Sequence, residues 1–282
     1  MKFFNQEKKR VCYLPEHQNE IIKYFDDNED ATLVVSFDEF ILPKKTIDFN
    51  KISEIKINKL MLSSFYHKTN ELGVFLKLEN LKELDNRSID LKYDFKNFPN
   101  LEVLILGWNK GCSNISECKR LKELSLWHYK PKTQNLTEFA ELNSLNELRI
   151  IQSNINNING IENLRKITEM YFIGNSNLSF DNINSVFPNV ETLYIESCKE
   201  IRIEKVIALF PNVKDLNFFS NNEIVSLRII LDNLKKLEKL NVYNLKISES
   251  DNRYWKEYKN LKKFNFQDRK HHILKRKDFE NV

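Results

Sequence analysis

The chain has 282 residues, of which 41% are hydrophobic and 30% charged, with 44 basic against 40 acidic side chains and a net charge of +4. This is ordinary globular composition and excludes a disordered or low-complexity scaffold. Half of the small basic excess sits in residues 268–282, so charge alone marks no nucleic-acid binder, and five glycines outside any GxxxxGK[ST] or GxGxxG pattern exclude the common phosphate-cradling loops.

The first residues, MKFFNQEKKRV, return to charge after two apolar positions, so no signal-peptide core is expected there. No later segment approaches the roughly 18 uncharged residues of a spanning helix. Cys12, Cys112, Cys118 and Cys198 form no CxxC pair, which fits reduced thiols and a cytoplasmic address. Residues 1–50 read as a non-repeating N-terminal cap with a helix near residues 16–25, a strand near residues 32–37 and a loop around Pro43.

From Ile52 onward a pattern of three apolar residues at offsets 0, 3 and 5 recurs. The sequence runs through ISEIKI from Ile52, LKELDN from Leu81, LEVLIL from Leu101, LKELSL from Leu121 and LNELRI from Leu145. It continues with ITEMYF from Ile167, VETLYI from Val190, VKDLNF from Val213, LEKLNV from Leu237 and LKKFNF from Leu261, successive starts lying 20–29 residues apart. Alternation across the last three positions is a strand period. One such strand cannot bury its apolar side alone, whereas stacking unit on unit buries a continuous column.

These motifs resemble the leucine-rich repeat family, whose consensus is LxxLxLxxN or LxxLxLxxC. The ninth position is Asn109, Asn175, Asn221 and Cys198 in four units and Ser153 in a fifth, but Leu60, Ile89, Tyr129, Leu245 and Arg269 depart from it, so irregular turns are expected. The stretch NINNINGIENLRKITEMYFIGN is similar to the short repeats of bacterial internalin-like proteins. FPN at Phe98, Phe187 and Phe210 is similar to the loop punctuation of irregular family members. The resemblance implies an α/β solenoid: a curved horseshoe of about ten repeats, with a parallel concave sheet and an irregular, short-helical convex side. The longer helices are expected around residues 203–210 and 227–234. The division is residues 1–50 as cap, 51–270 as solenoid and 271–282 as a basic C-terminal cap or tail.

With the apolar pair of each motif inside, the flanking positions form three columns on the open face of the sheet. The first begins Glu54 and Glu83 and carries Glu123, Glu147 and Glu169 before turning basic at Lys239 and Lys263. The second begins at Lys56 and includes Arg149, Tyr171, Tyr194 and Asn217; the third begins at Asn58 and includes Trp127, Phe219 and Tyr243, with Trp108 and His128 just beyond the strands. Two readings stay open for the aromatic set. Stacked rings stabilise neighbouring rungs, and a half-exposed aromatic patch rimmed by charge is the usual make-up of a protein-binding hot spot. The candidate protein-binding set is therefore Trp108, Trp127, His128, Tyr171, Tyr194, Phe219 and Tyr243, with Glu123, Glu147 and Glu169 placed to steer a partner with a basic surface.

No catalytic set emerges. His17, His67, His128, His271 and His272 fit no zinc pattern, His271 and His272 read as exposed, and Cys198 reads as a buried ladder thiol. No cofactor and no metal are expected. The resemblance implies a non-enzymatic protein-binding module, in its specific form a toxin-neutralising immunity protein or antagonist. The alternatives are an intracellular adaptor regulating an endogenous enzyme or complex, and a nucleic-acid or anionic-surface binder using Lys239, Lys263 and the tail from Arg269 to Lys277.

Overall fold

The computed structural model describes residues 2–36, 49–63 and 72–279, so the loop expected around Pro43 lies outside the described residues. The chain divides into two compact units, residues 1–128 and 129–282. In the first, β1 (Lys2–Asn5) runs antiparallel to β2 (Arg10–Cys12). A helix, α1 (Gln18–Asp27), leads into β3 (Thr32–Ser36), followed by β4 (Lys59–Ser63), β5 (Glu83–Asn86), β6 (Val103–Gly107) and β7 (Glu123–Trp127). From β2 to β7 each strand pairs in parallel with the next in the chain.

The second unit repeats the arrangement. Its strands are β8 (Glu147–Ile151), β9 (Glu169–Ile173), β10 (Thr192–Glu196) and β11 (Asp215–Phe219), with α2 (Ile203–Leu209) between β10 and β11. They continue past β12 (Glu223–Ile224) and α3 (Arg228–Leu231) to β13 (Lys239–Val242), and past β14 (Lys246–Ile247) to β15 (Lys263–Phe266). Strands β8, β9, β10, β11, β13 and β15 pair in parallel in that order, and β12 pairs with β14 separately. The expected helices near residues 203–210 and 227–234 are α2 and the shorter α3.

The strand register follows from the motif. In β9, β10 and β11 the apolar pair is buried (Met170 and Phe172, Leu193 and Ile195, Leu216 and Phe218) while the alternate residues are half-buried. The leading apolar residue of each unit, such as Leu101, Leu145 or Val213, is buried below them. One carbonyl per unit accepts from two successive amides of the next: Asn146 O from Thr168 and Glu169, Thr168 O from Glu191 and Thr192, Glu191 O from Lys214 and Asp215. Each rung is thereby set against its neighbour without slippage.

The FPN turns have two parts with separate tasks. Phe98, Phe187 and Phe210 are buried, and Phe187 stacks on Phe210 at 5.3 Å. The following Asn189 and Asn212 donate to the carbonyls of Arg165 and Pro188 in the preceding unit at 2.7 and 2.9 Å.

One motif is displaced. Residues 50–54 form a 3₁₀ turn, and the strand expected from Ile52 begins at Lys59. The motif is INKLML from Ile57, so Lys59, Met61 and Ser63 occupy the columns assigned to Glu54, Lys56 and Asn58. Both frames satisfy the apolar spacing. The choice is made by the amides of Lys82 and Glu83, which converge on the Asn58 carbonyl, and by pairing of Leu60 with Leu84. The parallel sheet also begins upstream of the motif, because β3 pairs in full register with β4.

The polar ladder is irregular in the expected manner but not always through the expected residue. Asn175 is fully buried, donating to Ile150 O at 2.8 Å and accepting from the Ser153 amide at 2.9 Å. Asn109 donates to Leu91 O at 2.7 Å, and the Cys198 thiol to Phe172 O at 3.5 Å. Asn221 is exposed, however, and its neighbour Asn222 reaches back to Ile201 O at 3.3 Å.

Candidate functional site

In the first unit, strand ends set out Arg87, Gly107 and Trp127 on adjacent rungs, Gly107 pairing with Trp127. A Cβ at Gly107 would lie 2.1 Å from the Arg87 carbonyl oxygen, so glycine is required by close approach. With no side chain between them, the Arg87 guanidinium reaches to 4.9 Å from the Trp127 ring centre while forking onto Asp85 with two bonds of 3.0 Å. Trp108 is half-buried, its amide donating to Trp127 O at 2.8 Å, while His128 is exposed with a left-handed φ of 58°. Glu123 is exposed at the start of β7.

The second unit carries a denser arrangement. Arg149, Tyr171, Tyr194 and Asn217 are in register on β8 to β11. The Arg149 guanidinium lies 3.7 Å from the Tyr171 ring centre and pairs with Glu147. Tyr171 and Tyr194 follow at 6.0 Å between ring centres, and Tyr194 and Phe219 at 5.4 Å. Each tyrosine hydroxyl donates to a carboxylate two residues away, Tyr171 back to Glu169 at 2.6 Å and Tyr194 forward to Glu196 at 2.7 Å. Partial burial together with the Glu196 carboxylate pushes the Tyr194 phenol up to about 12, and Tyr171 is raised by burial and Glu169. Both hydroxyls are therefore protonated donors at neutral pH.

Beyond the rings the face becomes a polar ladder. Asn217 donates to Asp215 at 2.9 Å, Asn241 to Asn217 at 3.3 Å and Asn265 to Asn241 at 3.0 Å, while Lys239 pairs with Asp215 at 3.0 Å. Tyr243, just after β13, is 41% exposed.

The structure thus brings Tyr171, Tyr194, Phe219, Glu147 and Glu169 of the expected set together on one face. Among the described residues no ring contact joins Tyr243 to Phe219, and Trp108, Trp127, His128 and Glu123 belong to the other unit. The acidic column is less free than its sequence suggests, since Glu147 is matched by Arg149 and Glu169 by a phenol. Arg149 and Asn217 were visible in the columns but, like Glu196, Asn241 and Asn265, stood outside the expected set. Their signal was vertical succession on adjacent rungs.

All four cysteines are buried, and burial raises the Cys198 and Cys118 thiols to about 11 and about 12, leaving them protonated. His272, expected to be exposed, is 3% exposed and packs on Trp255 at 5.6 Å between ring centres. Among the described residues no group of three or more His, Cys, Asp or Glu could hold a metal ion, and no helix is long and apolar enough to cross a membrane. Two clefts of about 550 Å³ in the second unit lie away from the aromatic face, one lined by Asp181, Arg202 and Glu223, the other by Arg165, Lys214 and Lys236.

No family model matches the chain, and no curated protein matches it. Solved structures do. A leucine-rich repeat protein of Leptospira interrogans is 18% identical with a TM-score of 0.54, the match covering 92% of this chain and 70% of that one. A chain of the Toll–Spätzle complex of Drosophila is 13% identical with a TM-score of 0.52, covering 92% of this chain and 39% of its own length. At such identities the likeness speaks to fold, and together with the repeated motif and the in-order parallel strands it gives this chain the leucine-rich repeat fold.

Proposed function

We propose that the protein is a non-enzymatic protein-binding module whose partner docks on the open face of β8 to β11. The observation that carries this reading is the half-buried run Tyr171–Tyr194–Phe219, in which each tyrosine is tied to a carboxylate at its rim. Such rings are held in place before any partner arrives, so docking on them costs little ordering entropy. Aromatic anchors within a charged rim are also where interface energy concentrates. Stacking as a stabilising rung and service as an anchor are compatible for the same rings, since part of each remains open to solvent.

Buried thiols at Cys12, Cys118 and Cys198 support a reducing compartment for this activity. An immunity protein or other antagonist is the specific form we favour, and an adaptor for an endogenous enzyme is the alternative. The basic tail offers less to a nucleic acid than its composition suggests, because Lys275 Nζ is spent on the carbonyls of Arg269 and His272 at 2.5 and 2.7 Å.

The test is affinity capture from lysate of the cells that express the protein, with wild type beside a Tyr194→Ala/Phe219→Ala variant shown to be folded by circular dichroism. A protein held by wild type and lost by the variant is the expected result. An identical captured set would put binding elsewhere.

A further inference from the structure

The open face of the second unit already binds one guanidinium, its own. The Arg149 guanidinium lies over Tyr171 at 3.7 Å, with the Glu147 carboxylate at its Nε. Two rungs on, the same ingredients recur without the cation. Tyr194 and Phe219 form a ring pair at 5.4 Å tilted by 47°, and Glu196, on the same strand as Tyr194, stands beside it. Glu196 Oε2 accepts the Tyr194 hydroxyl at 2.7 Å, while Oε1 has no partner among the described residues. The charge of this part of the face leaves room for another cation. On β8 to β11 the outward positions carry Glu147, Glu169, Glu196 and Asp215, four carboxylates against the single guanidinium of Arg149. Lysines follow only at β13 and β15, where Lys239 is taken up by Asp215.

We propose that the Tyr194–Phe219–Glu196 rung receives an arginine side chain of the partner protein, repeating between molecules the arrangement that Arg149, Tyr171 and Glu147 make within one. This rests on the proposed docking face and adds the chemistry of what docks there. Arginine fits better than lysine for physical reasons. A guanidinium is planar and weakly hydrated, so it lies on aromatic rings with little desolvation cost and keeps an N–H edge for a carboxylate, whereas an ammonium is a strongly hydrated point charge. Glu196, anchored by the phenol, is already oriented and loses little freedom when it pairs.

The experiment uses the full chain and three defined probes: hexa-arginine, hexa-lysine and hexa-citrulline peptides, titrated while backbone amide signals are followed by nuclear magnetic resonance. Hexa-arginine is expected to shift the amides of Tyr194, Glu196 and Phe219 saturably and to bind about tenfold more tightly than hexa-lysine, with hexa-citrulline weaker still. Glu196→Gln keeps an oxygen for the Tyr194 hydroxyl and should leave the thermal midpoint unchanged while removing the preference for arginine. Equal binding of the arginine and lysine peptides, shifts confined to other surfaces, or indifference to Glu196→Gln would overturn the inference. The partner captured from lysate separates this from the docking face itself. Loss with Tyr194→Ala/Phe219→Ala but full retention with Glu196→Gln sinks the arginine site and leaves the face standing, whereas retention with both variants sinks the face.

Discussion

Asn175 ties its turn to the preceding repeat with two bonds, its amide donating to the Ile150 carbonyl and its oxygen accepting from the Ser153 amide in an environment without solvent. Ser153 passes the chain of bonds on, its hydroxyl accepting from the Tyr129 amide at 2.9 Å. Asn175→Ala strands one buried donor and one buried acceptor, and should cost about 3 kcal/mol in urea unfolding, since a buried group left unmade costs about 1–3 kcal/mol. A loss below about 0.5 kcal/mol would mean that water replaces the amide. This residue was legible because the ninth motif position needs a side chain with both a donor and an acceptor. Asn221 against Asn222 was not: both are amides, and only the path of the backbone decides which reaches Ile201. The tyrosine–carboxylate pairs were half legible. Spacing of two on a strand places both members on one face, yet Tyr171 turns back to Glu169 and Tyr194 forward to Glu196.

At the scale of an element, the C-terminal segment behaves as a lid on the last rung. Trp255 meets Phe264, Phe266 and Phe279 with ring centres 5.2, 4.8 and 6.0 Å away. Asn252 exchanges two bonds with Leu274, of 2.9 and 2.8 Å. His272 sits inside this cluster, its Nε2 toward the Ile247 carbonyl at 3.3 Å and its Nδ1 buried without a partner. Burial lowers its pKa, as do His271 and Lys275, while the Ile247 carbonyl and Glu249 pull the other way without winning. A folded-state pKa below the unfolded value near 6.5 means that the unfolded chain takes up more protons. Stability is then full above that value and is lost as pH falls toward the folded pKa. Urea unfolding of wild type at pH 7.5 and pH 5 should show a larger drop than the same pair for His272→Gln, and equal drops would remove His272 as the cause. In sequence this histidine looked exposed, because its neighbours Arg269, Lys270, Lys275 and Lys277 are charged. The cue that it is buried is Trp255, seventeen positions upstream and silent in any local window. The displaced first rung has a related origin. Residues 52–62 hold two overlapping frames, Ile52–Ile55–Ile57 and Ile57–Leu60–Leu62, and apolar spacing satisfies both; only the hydrogen bonds of the next rung separate them.

On the scale of the molecule, each unit is a stack in which the strand of one repeat pairs in parallel with the strand of the next, so a face is built by vertical succession rather than by folding distant loops together. That is why the outward columns of the second unit are legible in the motif spacing, and why Tyr171, Tyr194 and Phe219 follow one another on adjacent rungs. The positions that set the stack are the buried ones, which leaves most outward side chains to meet a partner. The central claim is that this face binds protein. The most direct measurement is site-specific photo-crosslinking in living cells, with benzoylphenylalanine at position 194 or 219 and, as a control, at the exposed position 204 on α2. One discrete protein adduct is expected from positions 194 and 219 and none from 204. Adducts from 204 alone, or the same products from all three positions, would contradict it.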